Sequence, residues 1–291
     1  MRFSFIRVEK AFYPLTVLCR VLEVSRSGFY AFEKRGSSRR ETSDRQLTVE
    51  IRAAHKKSRR IYGSPRIHLE LRDQKRRVGR KRVARLMRQE GIIGRRRRRF
   101  CRTTDSGHGL PVAENILDRK FETSKPNQAW VADLTYIPTM AGWLYLAAIL
   151  DLFSRRVVGY AMSHRIDGQL VLDALEAALR HRRALPGLLF HTDQGSQYAG
   201  DDHQAALRKR GFVCSMSRRG NCWDNAVAES FFGTLKSDLA IDRPYPSREI
   251  GRAVISDYID GFYNPERRHS TLDYLSPIEY ELKHQTELVD A

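Results

Sequence analysis

Cysteine is scarce in this chain. There are four among 291 residues, at positions 19, 101, 214 and 222, and no two form a Cys-x-x-Cys pair. That argues against a disulfide framework and a zinc knuckle, and it predicts free thiols in a reducing cytosol. Long apolar runs are absent too. The most apolar stretch, Trp143 to Leu150, is short and runs into Asp151. A membrane-spanning helix needs roughly 20 such residues, so no membrane segment is expected. The first ten residues carry Arg2, Arg7, Glu9 and Lys10, too much charge for a secretory signal. No internal repeat is visible. With 41% hydrophobic residues, the chain still has material for the core of one large or two modest domains.

Negative charge is what the first part lacks. Residues 1–128 carry 34 Lys and Arg against 13 Asp and Glu, a net +21, whereas residues 129–291 carry 18 against 21, a net −3. The whole positive excess of the chain is therefore N-terminal. A basic half joined to a mildly acidic half reads as a grip for double-stranded nucleic acid attached to a second functional unit. The bland alternative is a highly soluble surface.

The basic half reads as helical. Leu15, Leu18, Val21 and Leu22 recur at helical spacing, and Ser25 is placed to cap a second helix carrying Phe29 and Tyr30. A longer helix is expected over 43–57, with Leu47, Ile51 and Ala54 on one face. Residues 64–91 give a helix–turn–helix pattern. Ser64-Pro65 starts one helix, Val78-Gly79 marks the turn, and Gly91 ends the second helix. In that second helix Val83, Leu86 and Met87 face inward, leaving Arg80, Lys81, Arg82, Arg85 and Arg88 for an outer face that a major groove could accept. An ordinary helical hairpin with a solvated face would look the same. Five consecutive arginines follow, Arg95, Arg96, Arg97, Arg98 and Arg99, a run that repels itself and reads as a phosphate-binding arm or a solvated linker. Residues 101–128 read as a loose connector.

From 129 the texture becomes α/β. Strands are expected over Ala129–Ile137, ended by Pro138, then over 143–151, 156–162, 187–191 and 212–216. Helices are expected over 170–180, 204–210 and 225–239, the first with Leu172, Leu175, Ala178 and Leu179 inward. Three antiparallel strands followed by alternating helices and strands make a mixed sheet flanked by helices. The expected divisions are a helical region at 1–42, a basic helix–turn–helix domain at 43–100, a linker at 101–128, a catalytic core at 129–240 and a helical extension at 241–291.

Three acids stand inside or beside apolar segments of this second half. They are Asp133 in Trp130-Val-Ala-Asp-Leu-Thr-Tyr, Asp193 in His191-Thr-Asp-Gln-Gly-Ser-Gln-Tyr, and Glu229 in Asp224-Asn-Ala-Val-Ala-Glu-Ser-Phe-Phe-Gly-Thr-Leu-Lys. A lone buried carboxylate is costly, and three converging ones need cations. Oxygen-only donors suit Mg²⁺ or Mn²⁺, and a pair of such ions serves phosphodiester chemistry. The 35 residues between Asp193 and Glu229 suffice for helix, strand and helix to return to one sheet edge. Lys236, two helical turns beyond Glu229, is placed to touch a DNA phosphate. Asn225, one turn before Glu229, can orient that carboxylate. His191 is either a support for the site or a satisfied edge histidine. The turn at Gln194-Gly-Ser-Gln can bring backbone to a phosphate, whereas Trp130, Trp143, Phe231 and Phe232 read as core.

These passages resemble the insertion-sequence transposases of the DDE, retroviral-integrase-like class, and within it the second-frame (OrfB) product of the IS-three family. The resemblance also rests on Tyr263-Asn-Pro-Glu-Arg-Arg-His-Ser-Thr-Leu-Asp-Tyr-Leu-Ser-Pro, on Ile61-Tyr-Gly-Ser-Pro-Arg-Ile and on Leu86-Met-Arg-Gln-Glu-Gly-Ile, and it spans about residues 15–283. It implies a ribonuclease-H-like catalytic domain whose metal-binding triad is Asp133, Asp193 and Glu229, with Lys236 as the associated basic residue and two Mg²⁺ or Mn²⁺ ions per site. Such enzymes hydrolyse a phosphodiester at the element end, then use the freed 3′-OH to attack DNA directly, with no covalent enzyme intermediate. The implied partners are the element ends and target DNA, further copies of the chain on that DNA, and an upstream-frame (OrfA) product. The chain is expected to be too short at its N-terminus to contain the whole of that product. The implied location is the bacterial cytoplasm, at the nucleoid. By the motif match, Arg267, Arg268 and His269 are candidate DNA contacts.

Other readings make different demands. A DNA-binding regulator, or a transposase remnant that no longer acts, explains the basic half and leaves the three acids without a task. A nuclease for RNA in hybrids fits the long basic part poorly. A retroviral-type integrase is disfavoured because residues 1–128 offer only Cys19 and Cys101 towards a His-His-Cys-Cys zinc set.

Overall fold

Helical periodicity over the first ninety residues and strand alternation after 129 produce two separate units in the computed structural model, which describes residues 2–36, 38–95, 112–218 and 222–289. The first unit comprises Met1–Lys57 and Ile67–Ile93; the second comprises Ser58–Arg66 and Gly94–Ala291.

The first unit is all helical. Its elements are α1 (Arg2–Glu9), α2 (Leu15–Val21), α3 (Arg26–Lys34), α4 (Arg39–Lys57), most of α5 (Ser64–Asp73) and α6 (Arg80–Gln89). Ile6, Leu18, Cys19 and Phe29 form the small core of α1–α3. Ser25 caps α3 as its sequence position implies, its hydroxyl accepting from Gly28 N at 3.0 Å. Leu47, Ile51 and Ala54 of α4 are buried, as are Val83, Leu86 and Met87 of α6. Gly91 takes a φ of +63° just past α6. There Ile92 N donates to Met87 O at 2.8 Å, so a left-handed glycine closes the helix end.

In the second unit five strands, β1 (Ala129–Thr139), β2 (Gly142–Asp151), β3 (Val157–Ser163), β4 (Leu189–Thr192) and β5 (Val213–Met216), form one mixed sheet in the order β3-β2-β1-β4-β5. β1 to β3 are antiparallel; β4 runs parallel to β1, and β5 parallel to β4. Helices α7 (Gly168–His181), α8 (Ser196–Ala199) and α9 (Asp201–Lys209) cover one face, where Trp130, Ala132, Ile149, Phe190 and Phe212 join the main core. The other helices are α10 (Ala226–Asp238), α11 (Arg248–Tyr258) and α12 (Pro277–Val289). α10 and α11 pack against β1 and β2.

Several expectations need correction. β1 does not stop before Pro138; it runs to Thr139. β4 pairs only with Ala129–Val131, so at Pro138 one side of β1 has no ladder, and the missing N–H of proline costs little there. The Pro138 carbonyl accepts instead from Tyr245 N at 2.9 Å. The buried stripe of α7 is Leu170, Val171, Ala174, Leu175 and Ala178, and Leu172 and Leu179 are only half-buried. The cause is Gly159 of β3. A Cβ there would lie 2.4 Å from Ala178 N, so the helix presses its alanines on that strand. Trp143, expected in the core, is exposed and meets Tyr136 edge-on at 4.9 Å between ring centroids.

Residues 112–128 form no helix or strand, yet they are not loose. Ser215 Oγ on β5 accepts from Ile116 N (2.9 Å) and Leu117 N (3.1 Å), and the Leu117 side chain is buried. Residues 101–111, and the arginines at 96–99, lie outside the described residues. The segment Ile61-Tyr-Gly-Ser-Pro-Arg, read from sequence as part of the helix–turn–helix, counts with the second unit. Tyr62 is buried there. Its hydroxyl accepts from Arg268 N at 2.7 Å and lies 3.2 Å from Glu266 O. Arg59 pairs with Asp257 and covers the Phe262 ring at 5.3 Å.

Candidate active site

The parallel register of β1 and β4 brings the first two acids together. Val131 is paired with His191. Asp133 on β1 and Asp193, one residue past the end of β4, each stand two residues further on, so the register carries both acids towards the same end of the two strands. Asp133 is mid-strand, with its Oδ1 accepting from Leu134 N at 2.7 Å. Asp193 begins the turn that ends β4, and its Oδ1 accepts from Gly195 N at 2.9 Å.

Glu229 lies in the first turn of α10. The start of that helix is tied to β1, because Asn225 Nδ2 donates to Ala132 O, next to Asp133, at 3.3 Å. The segment before it is held by Asp224, which is fully buried. Its carboxylate accepts from Arg218 N, Nε and NH2, from Arg119 Nε and from Asn115 Nδ2, all at 2.8–3.0 Å. The Arg218 hydrogen bonds hold its carboxyl well below the usual carboxylate range.

Asp133 shows the opposite behaviour. Burial pushes its carboxyl well above the usual range, and the charges of Asp193 and then Glu229 push it further. The Leu134 N–H and the Lys236 ammonium oppose this. The three acids thus share one electrostatic site. They are not drawn into a closed cage, for among the described residues no three His, Cys, Asp or Glu side chains are gathered tightly enough to hold an ion. The donor set nonetheless fits a divalent cation. It is made only of carboxylate oxygens, and its members repel one another until a positive charge is added.

Lys236 is half-buried, with Nζ 4.8 Å from the Tyr136 ring centroid. Burial lowers its ammonium pKa and the Asp133 charge resists the fall. His191 is buried, with Nδ1 2.9 Å from Ser215 Oγ and Nε2 3.1 Å from Ser217 Oγ. Burial lowers its pKa to about 4, so it is a neutral ring bracing β4 on β5. Asn225 reaches the β1 backbone at Ala132. Of the basic residues on α6, Arg80, Lys81 and Arg88 are exposed. Arg82 and Arg85 are not left for solvent, since each donates to Asp44 of α4 at 2.7 Å. Arg95 is exposed. Arg267 is no surface contact either. It is buried and donates from Nε to Asp238 at 2.6 Å, while His269 packs edge-on against Tyr263. Reading the sequence missed Asp224 and Tyr198, although both lie inside the quoted motifs.

A basic helical unit joined to a mixed sheet with acids at the carboxyl end of its parallel strand defines a protein of the integrase-core class. Integrase core domain models match residues 123–222 and 210–277, and an HTH-like domain model matches 42–100. The transposase InsF of insertion sequence IS3A from Escherichia coli K12 is 41% identical over 285 residues, covering 97% of this chain and 99% of that protein. A 31 kDa protein of insertion element IS600 from Shigella sonnei is 44% identical over 267 residues, covering 92% and 98%. The chain belongs to the IS3 family of insertion-sequence transposases. Among solved structures, the HTLV-2 integrase catalytic core in complex with magnesium is similar at 15% identity and a TM-score of 0.43, over 54% of this chain and 97% of that one.

Proposed function

We propose that the second unit hydrolyses a phosphodiester at each end of an insertion sequence and then joins the freed 3′-OH to target DNA by transesterification. Asp133, Asp193 and Glu229 are the residues that hold Mg²⁺ or Mn²⁺, two ions per site. The observation that carries this reading is the parallel register of β1 and β4, which sets Asp133 two residues past Val131 and Asp193, just beyond the end of β4, two residues past the partner His191, with the charges of Asp193 and Glu229 both acting on Asp133. Bound divalent cations supply activation of the attacking oxygen and neutralisation of charge on the phosphate. The protein supplies the rest. β1 and β4 carry two carboxylates towards the same end of the strands, the Asn225 tether sets the third, and Lys236 offers a cation to a phosphate oxygen beside Asp133. A freed 3′-OH is the nucleophile of the joining step, so no side chain needs to form a covalent intermediate.

The first unit holds the duplex through Arg80, Lys81 and Arg88 on α6, with Arg82 and Arg85 on the same helix, and the arginines 95–99 that follow the first unit in sequence add to the grip. Two ends and a target must meet, which calls for more than one copy of the chain on the DNA. An upstream-frame product is a further partner for recognising the ends. No helix among the described residues is long and apolar enough to cross a membrane.

The test is Asp193→Asn in the full chain. Strand joining with Mg²⁺ falls to background while DNA affinity stays at the wild-type level. Persistent joining would show that Asp193 holds no catalytic ion.

A further inference from the structure

Tyr198 is placed in the core, 2% exposed, and its ring is held on several sides. Its N–H donates to Gly195 O at 2.9 Å, and its carbonyl accepts from Gln204 Nε2 at 2.9 Å and faces His203 Nδ1 at 3.1 Å. The His203 ring meets it edge-on at 5.4 Å, and Phe190 stands behind that histidine at 5.5 Å. The ring is buried in the core, yet among the described residues its hydroxyl has no hydrogen-bond partner. A buried hydroxyl left unpaired is destabilising, and phenylalanine would fill the same space without that cost. The charges that act on this phenol are those of Asp133 and Asp193. Burial first, and then those two charges, hold its ionisation well above the ordinary tyrosine range, so the phenol stays a neutral donor. Its helix also follows directly on Gly195, whose N–H already steadies Asp193.

We infer that Tyr198 is a positioning residue, whose buried hydroxyl donates a hydrogen bond to a carboxylate oxygen of Asp133 or Asp193 when the two close on a divalent cation. The inference rests on the metal-binding reading above. The two carboxylates repel each other, and each takes a local backbone N–H. Drawing them together brings one oxygen to the waiting hydroxyl, which then fixes the carboxylate plane. Groups that orient metal ligands in this way typically contribute about 10- to 100-fold in metal affinity.

The experiment is a Mn²⁺ titration of the full-length chain without DNA, followed by melting temperature, for wild type, Tyr198→Phe and Asp193→Asn. Tyr198→Phe should melt at or above wild type without metal, because it loses an unpaired group. It should need about tenfold more Mn²⁺ for half of the metal-induced rise. Asp193→Asn should lose most of that rise. If Tyr198→Phe titrates at the wild-type concentration while Asp193→Asn loses its response, the tyrosine has no such role and the triad stands. If Asp193→Asn responds as wild type does, the metal-binding reading falls and takes this inference with it. A lower metal-free melting temperature for Tyr198→Phe would show that the hydroxyl was already bonded, and would also overturn the proposal.

Discussion

Asp133 and Asp224 are the same side chain, linked by a single hydrogen bond from Asn225 to the carbonyl next to Asp133, yet their environments drive them in opposite directions. Asp224 is fully buried and accepts from two arginines and an asparagine, which keep it ionised. Asp133 is held from ionising freely by burial first and then by the charges of two further acids. The contrast extends across the second unit. Asp238 is bound by Arg267 and Tyr258, and Glu281 by Arg156, Arg182 and Ser154. Acids that meet cations build the frame. Acids whose charges act on one another make the candidate site, the one proposed above to take a divalent cation.

The frame side of this contrast should give the largest effect. Asp238→Ala removes the acceptor of both Arg267 Nε (2.6 Å) and Tyr258 Oη (2.7 Å) and leaves a buried guanidinium without its counter-charge. Breaking a buried pair in this way costs about 3–5 kcal/mol, to be read as a lower urea midpoint. A variant as stable as wild type would remove Asp238 from the frame class.

The sharper test compares the two linked acids by pH. The Asp224 carboxyl is depressed in the folded state, so its stabilisation is present above the unfolded carboxylate range and is lost as pH falls through and below it. The Asp133 carboxyl is raised, so the folded state favours its protonated form. Its contribution is present at low pH and is lost as pH rises through the raised value. Without metal, Asp224→Asn should therefore destabilise at neutral pH by about 1–2 kcal/mol, a gap that closes in acid. Asp133→Asn should raise the neutral-pH melting temperature by about 2–4 °C, as for ~1 kcal/mol in a unit of this size, and the gain should vanish on acidification. Parallel pH profiles for the two variants would dissolve the distinction between frame and site.

Much of the site could be read in sequence because it depends on local pattern. The strand alternation around Asp133, the end of β4 at Asp193 and the helix start before Glu229 are signals within a few residues. The sheet follows from element order. What escaped was decided at long range. Arg82 and Arg85 look solvent-facing until Asp44, some forty positions earlier, is placed across from them on α4. Arg267 reads as a DNA contact until α10 sets Asp238 against it. Tyr62 reads as part of a helix–turn–helix until the backbone at Glu266 and Arg268 meets its hydroxyl. The α7 stripe shifted because Gly159, on another element, admits alanine and not leucine.

The same contrast between occupied and unoccupied charge applies within the basic unit, on a smaller scale. Each α6 cation that meets a DNA phosphate adds close to one unit to the salt dependence of binding. Arg80, Lys81 and Arg88 are exposed, so their charge is available to a duplex. Arg82 and Arg85 already share Asp44, and part of their field is spent on it. Arg80→Ala or Lys81→Ala should therefore lower the slope of log affinity against log salt by about one each, with little change in stability. Arg82→Ala should change the slope less and instead cost up to about 1 kcal/mol in the first unit, because a half-exposed ion pair is worth no more than that. Equal slopes for Arg80→Ala and Arg82→Ala in a binding titration from low to moderate salt would mean that Asp44 releases its arginines when DNA arrives, making the paired cations part of the grip.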